Sequence, residues 1–149
     1  MKKTLTILFV LLCIVSTYLI YSYTDKETYT QTRVQHYIKQ MNIGYDISVE
    51  FKEIDHNQQS ILGSKSDIEY AAQVFPVPEY YQAKIVFNTN LLNELSKKQI
   101  NDVIVHELLH VHFTEMREYI YRELQPDEYQ KEWLHYHEER MITNITRSL

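Results

Sequence analysis

The stretch VIVHELLHVHF, residues 103–113, restricts the fold of this chain more than any other. Ile104, Val105, Leu108, Leu109, Val111 and Phe113 surround two histidines and a glutamate on nearly every side. That pattern belongs to a helix buried all round, not to one lying on a surface. Polar groups taken into such a place without partners are costly. The fold must therefore bring ionic or polar partners to His106, Glu107 and His110. Ser96, with Gln99 three residues on, makes a capping-box start, and Ile100, Val103 and Ile104 follow as an apolar face. A long helix is predicted from Ser96 through this motif to about residues 119–121.

The spacing inside the motif has chemical content. Residues four apart on an α-helix lie within roughly 40° of one another. His106 and His110 can therefore each aim one imidazole nitrogen at a single cation. Glu107 stands roughly 100° from His106 and 60° from His110, badly placed as a ligand but able to reach a water on that cation. This is the mechanical meaning of H-E-x-x-H, a zinc-binding pair with a glutamate as base. The 149 residues include one cysteine, Cys13, far from the motif. No intramolecular disulfide can form, and any metal must be held by nitrogen and oxygen. Catalytic zinc keeps three protein ligands and an open position, so one more ligand is required. Downstream, His135, His137, Glu138 and Glu139 offer themselves. His112 falls on the opposite side of the helix and is not expected to join them.

Around the motif the sequence predicts one α+β domain over residues 24–149. Val34, Tyr37, Ile38 and Met41 recur at helical spacing within residues 24–43, with Gly44 as the stop. Residues 45–51 alternate apolar and polar as a half-buried strand does. Residues 55–67 are polar, contain Gly63, and read as a loop. A second strand is expected from Tyr70 to Phe75, closed by Pro76-Val77-Pro78, and a third over residues 83–88. Beyond the break at Pro126 and Asp127, a last helix is expected from about Glu128 to Arg147. Leu134, Met141, Ile142, Ile145 and Leu149 form its apolar side. The order is helix, small antiparallel three-stranded sheet, active-site helix, C-terminal glutamate-bearing helix. Hydrophobic residues make up 44% of the chain, enough for a core. The net charge is −5, without any cluster of lysine and arginine, which argues against a nucleic-acid partner.

Ahead of this domain, Met1-Lys2-Lys3 precedes an uncharged apolar run from Thr4 to Ile20, with Tyr18, Tyr21 and Tyr23 at its far end. About 20 apolar residues cross a bilayer, and tyrosines favour the interface. Residues 1–23 are thus expected to form a transmembrane anchor or a signal peptide. The bulky end of the run lacks an A-x-A-like cleavage site, which favours retention. Leu12 before Cys13 does not suit lipid attachment. The expected localisation is single-pass, with Lys2 and Lys3 cytoplasmic and residues 24–149 extracytoplasmic, or secreted if the segment is cleaved.

Taken together, KIVFN (84–88), VIVHELLHVHF (103–113) and HEERMITNITRSL (137–149) resemble the small gluzincin-type, minigluzincin-like zinc metallopeptidases of the HExxH zincin group. The resemblance covers about residues 45–149. It implies a zincin-like fold, a Zn2+ cofactor, and a third ligand supplied by a glutamate on the helix after the motif. The group's pattern favours Glu139, which has Ile142 and Thr143 three and four residues on. Helical geometry argues partly the other way, since Glu138 lies near the middle of the apolar stripe, and Glu138 stands as the second choice. Thr143 stands where many relatives carry Asp or Asn. The resemblance also implies that strand 84–88 is an edge that binds extended substrate by strand addition. The activity so implied is hydrolysis of a peptide or protein substrate, with zinc on His106, His110 and Glu139 and with Glu107 as general base. Tyr136, His135 or His137 would assist the oxyanion. Two other readings stay open: a non-catalytic, zinc-stabilised, membrane-tethered binding module, and a tethered interaction protein in which HELLH is coincidental. The intact Glu107 favours the enzyme, since a structural metal site needs no base.

Overall fold

A computed structural model describes residues 26–54 and 71–148. The first helix, α1 (Lys26–Gln40), buries Thr30 and Val34 and ends in a Schellman arrangement. Asn42 takes the left-handed conformation (φ 53°), while the Ile43 amide reaches back to the Ile38 carbonyl at 3.0 Å. The stop is thus made by Asn42, two residues before the glycine expected to make it. Asparagine tolerates this region better than most side chains.

Three strands follow: β1 (Asp46–Lys52), β2 (Ala72–Val77) and β3 (Gln82–Asn88). Their spatial order is β1-β3-β2, with β3 in the middle. β2 and β3 form an antiparallel hairpin around a 3-10 turn at Pro78–Tyr80, closed by Tyr81 in the left-handed region. β1 lies on the other side of β3 and runs parallel to it, from Asp46 opposite Gln82 to Lys52 opposite Asn88. The sheet is therefore mixed, which corrects the antiparallel expectation. Alternation reveals which residues face the core but is the same for either strand direction. β2 also runs through Pro76 to Val77, where a stop was expected. An edge strand tolerates proline because one side of its ladder is unused.

After β3 comes a short helix that the sequence pattern does not announce, α2 (Thr89–Glu94), started by the Asn88 side chain accepting from the Asn90 amide. The long helix α3 (Lys97–Leu124) then begins at Ser96, and the capping box with Gln99 is formed in both directions. Every residue from Val103 to Val111 is buried. One side of α3 joins the main core with Ile85, Phe87, Val34 and Leu92. The other, through Val105 and Leu109, meets Ile142 of the last helix, α4 (Glu128–Ser148). Gln125, left-handed at φ 45°, and Pro126 turn the chain between them. A second reciprocal cap opens α4, since Asp127 and Gln130 each accept the other's backbone N–H at 2.8 and 2.9 Å. Only Ile142 and Thr146 of α4 are buried.

The expected membrane segment, residues 1–23, lies outside the described residues. Among the described residues no helix is long and apolar enough to cross a membrane. The fold is accordingly corrected to an α+β unit with a mixed three-stranded sheet, whose described part has no helix able to cross a membrane. The single-pass placement with an extracytoplasmic domain finds no support in it and is set aside.

Candidate metal centre

The buried middle of α3 presents His106 and His110 toward α4. Their rings lie edge to face with centroids 4.9 Å apart, and the two Nε2 atoms face each other at 3.2 Å. Two imidazole lone pairs do not approach so closely unless a proton or another cation stands between them. From α4, Glu139 brings one carboxylate oxygen to each ring, Oε2 to His106 Nε2 at 3.3 Å and Oε1 to His110 Nε2 at 3.0 Å. The three residues offer ligand atoms that all lie within 4.8 Å of one another, close enough to hold one metal ion. Two imidazole nitrogens and a carboxylate oxygen suit a borderline divalent cation such as zinc. On this observation the residues fit the group.

Glu107 is 5% exposed on the adjoining side of α3. Burial pushes its carboxyl above the ordinary value; charge on His110 and His106 and a hydrogen bond from the Val74 backbone pull it back. β2 packs beside the motif helix. The strand at the sheet edge beside the site is therefore β2, whereas 84–88, expected as the edge, is the buried central strand β3. Sequence reasoning missed this because β3 alternates well, and neighbours cannot be read from alternation.

Glu138 does not converge with the other three. Its Oε1 lies 3.3 Å from His110 Nδ1, on the far side of that ring, and accepts from Arg117 Nη1 at 3.1 Å. Burial alone would raise its pKa, but these two partners hold it below the usual carboxylate range. Glu139 is lowered further by its bonds to both imidazoles, and His110, between carboxylates, is raised to about 9 despite burial. Arg117 was not singled out from the sequence. It lies seven residues after His110, nearly in line with it on α3, and that offset was the available signal.

The three suggested oxyanion partners separate. His135 Nδ1 is 3.9 Å from Glu139 Oε1, near the centre. His137 instead stacks on Trp133, with centroids 4.1 Å apart, and Tyr136 is 61% exposed. His112 is exposed beside Phe113 and takes no part. Comparison with known protein families, with characterised proteins and with solved structures finds no match.

Proposed function

We propose that the chain is a small zinc-dependent peptidase of the gluzincin type, with zinc on His106, His110 and Glu139 and with Glu107 as general base. The observation that carries this is the convergence of those three side chains, from two helices, beside a buried glutamate. A carboxylate raised above its ordinary value by burial is a stronger base than a solvated one, which suits proton transfer. Zinc, when bound, supplies Lewis acidity toward a scissile carbonyl and acidifies a water.

The remaining work falls to this chain's own side chains. Glu107 accepts the proton of the attacking water and delivers it to the leaving amine. β2, the edge strand among the described residues on the side of the site, would receive an extended peptide as a further strand. His135, exposed and with its Nδ1 3.9 Å from the Glu139 carboxylate, is the imidazole we assign to assist the oxyanion.

The test is metal analysis of protein purified with zinc present, followed by a screen against a mixed peptide library with and without a chelator. One zinc per chain and chelator-sensitive cleavage are expected. A folded protein that takes up no zinc, or takes it up and cleaves nothing in the library, would count against the enzyme.

A further inference from the structure

We propose that Glu138, braced by Arg117, is the positioning residue that fixes the ring of His110 for metal binding. The inference rests on the peptidase reading of the site but concerns a residue outside the ligand set.

Most of α4 is exposed, yet the Glu138 side chain is only 10% exposed. A carboxylate so enclosed needs partners, and both of its partners come from α3. His110 Nδ1 lies 3.3 Å from Oε1. Arg117 Nη1 lies 3.1 Å from Oε1 and 3.5 Å from Oε2. When His110 donates Nδ1–H to Glu138, the lone pair of the ring is left on Nε2, the atom that faces His106 and Glu139. A histidine's tautomer and orientation are set in this way by whatever its second nitrogen meets. Glu139 cannot do the same, because its two oxygens already face the two Nε2 atoms. The guanidinium of Arg117 fixes the acceptor oxygen with a charge-assisted bond of 3.1 Å. The plainer alternative is an ion pair that merely staples α4 to α3. That role would not alter how tightly the folded protein holds a metal.

The experiment measures zinc affinity of the full chain by competition with a chromophoric chelator. It compares the wild type with Glu138→Gln, Glu138→Asp, Glu138→Ala, Arg117→Met, the pair Glu138→Ala with Arg117→Met, and Glu139→Ala. Circular dichroism of each metal-free variant confirms the fold. Expected is one zinc per chain in Glu138→Ala, with affinity weakened about ten- to a hundredfold. Glu138→Gln, which keeps an acceptor but not its charge, should lose less, and Glu138→Asp should recover part of the loss. Arg117→Met should weaken binding severalfold in the wild type and add nothing once Glu138 is alanine. Glu139→Ala should lose far more than any of these.

Unchanged affinity in Glu138→Ala and Glu138→Gln, with only a lowered melting temperature, would reduce the pair to a staple and overturn the proposal. It would also be overturned if Glu138→Ala abolished binding while Glu139→Ala retained it, since Glu138 would then be the ligand. A wild-type chain that binds no zinc removes the peptidase reading and this inference together. A wild type that binds and cleaves, with indifferent Glu138 variants, removes this inference alone.

Discussion

His110 meets a carboxylate at each ring nitrogen, Glu138 at Nδ1 and Glu139 at Nε2, with Glu107 nearby. In metal-free protein this environment favours the protonated ring, raised from 6.5 to about 9. A raised folded value contributes stability in full below 6.5 and loses it as pH rises through about 9. The depressed Glu138 and Glu139 contribute oppositely: theirs is present above 4.5 and fades as pH falls through their folded values. Glu107, raised by burial, loses stability with rising pH in the same sense as His110. The chelator-treated protein should therefore melt highest toward the acid side of about pH 5 to 7, with a falling Tm as the pH climbs. Bound zinc requires neutral imidazoles, so the alkaline decline should vanish when zinc is present; a scan of Tm against pH in both states checks this. For Glu107→Gln, zinc uptake should persist while hydrolysis falls by about 10²- to 10⁴-fold. Peptide cleavage at the wild-type rate would remove Glu107 from the chemistry. The motif residues were legible because i, i+4 spacing on a buried helix has few meanings. Arg117 and the orienting side of Glu138 were not, because a pairing between helices depends on how those helices cross.

At the scale of elements, hydrophobic period located α1, β1, β3, α3 and α4 to within a few residues. It failed where the deciding quantity was not periodic. Strand direction in the β1–β3 pair is set by the connection, α2 is a single short turn started by one asparagine, and Pro76 is permitted only because β2 is an edge. α4 shows best how weak docking bears on the site. Its contact with α3 centres on Ile142, fully buried against Val105 and Leu109, with Phe113 and Ile145 beside it. Ile142 lies three residues after Glu139, so it sets the rotation that turns that carboxylate toward the histidines. Ile142→Ala should cost about 2–5 kcal/mol in urea unfolding and weaken zinc binding by the folded protein as well. Loss of stability with unaltered zinc affinity would show that Glu139 is held independently of the helix packing.

Across the whole molecule, the site draws on β2, α3 and α4; among the described residues β2 and α3 share the main core, while α4 meets α3 through the small cluster around Ile142. Metal bound to the native state alone stabilises it by mass action, by about 4 kcal/mol when free metal exceeds the dissociation constant roughly 1,000-fold. Adding a chelator to the zinc-loaded chain should therefore lower Tm by several degrees, and restoring zinc should reverse the shift. A Tm indifferent to both would indicate that folded and unfolded chains hold zinc equally or not at all. The shallow seating of α4 has a further result. Only two of its 21 residues are buried, so little packing holds this helix in place. If an ion clasps it to α3, a chain deprived of metal exposes α4 to any protease nearby, and scarcity of that metal then shortens the life of the protein.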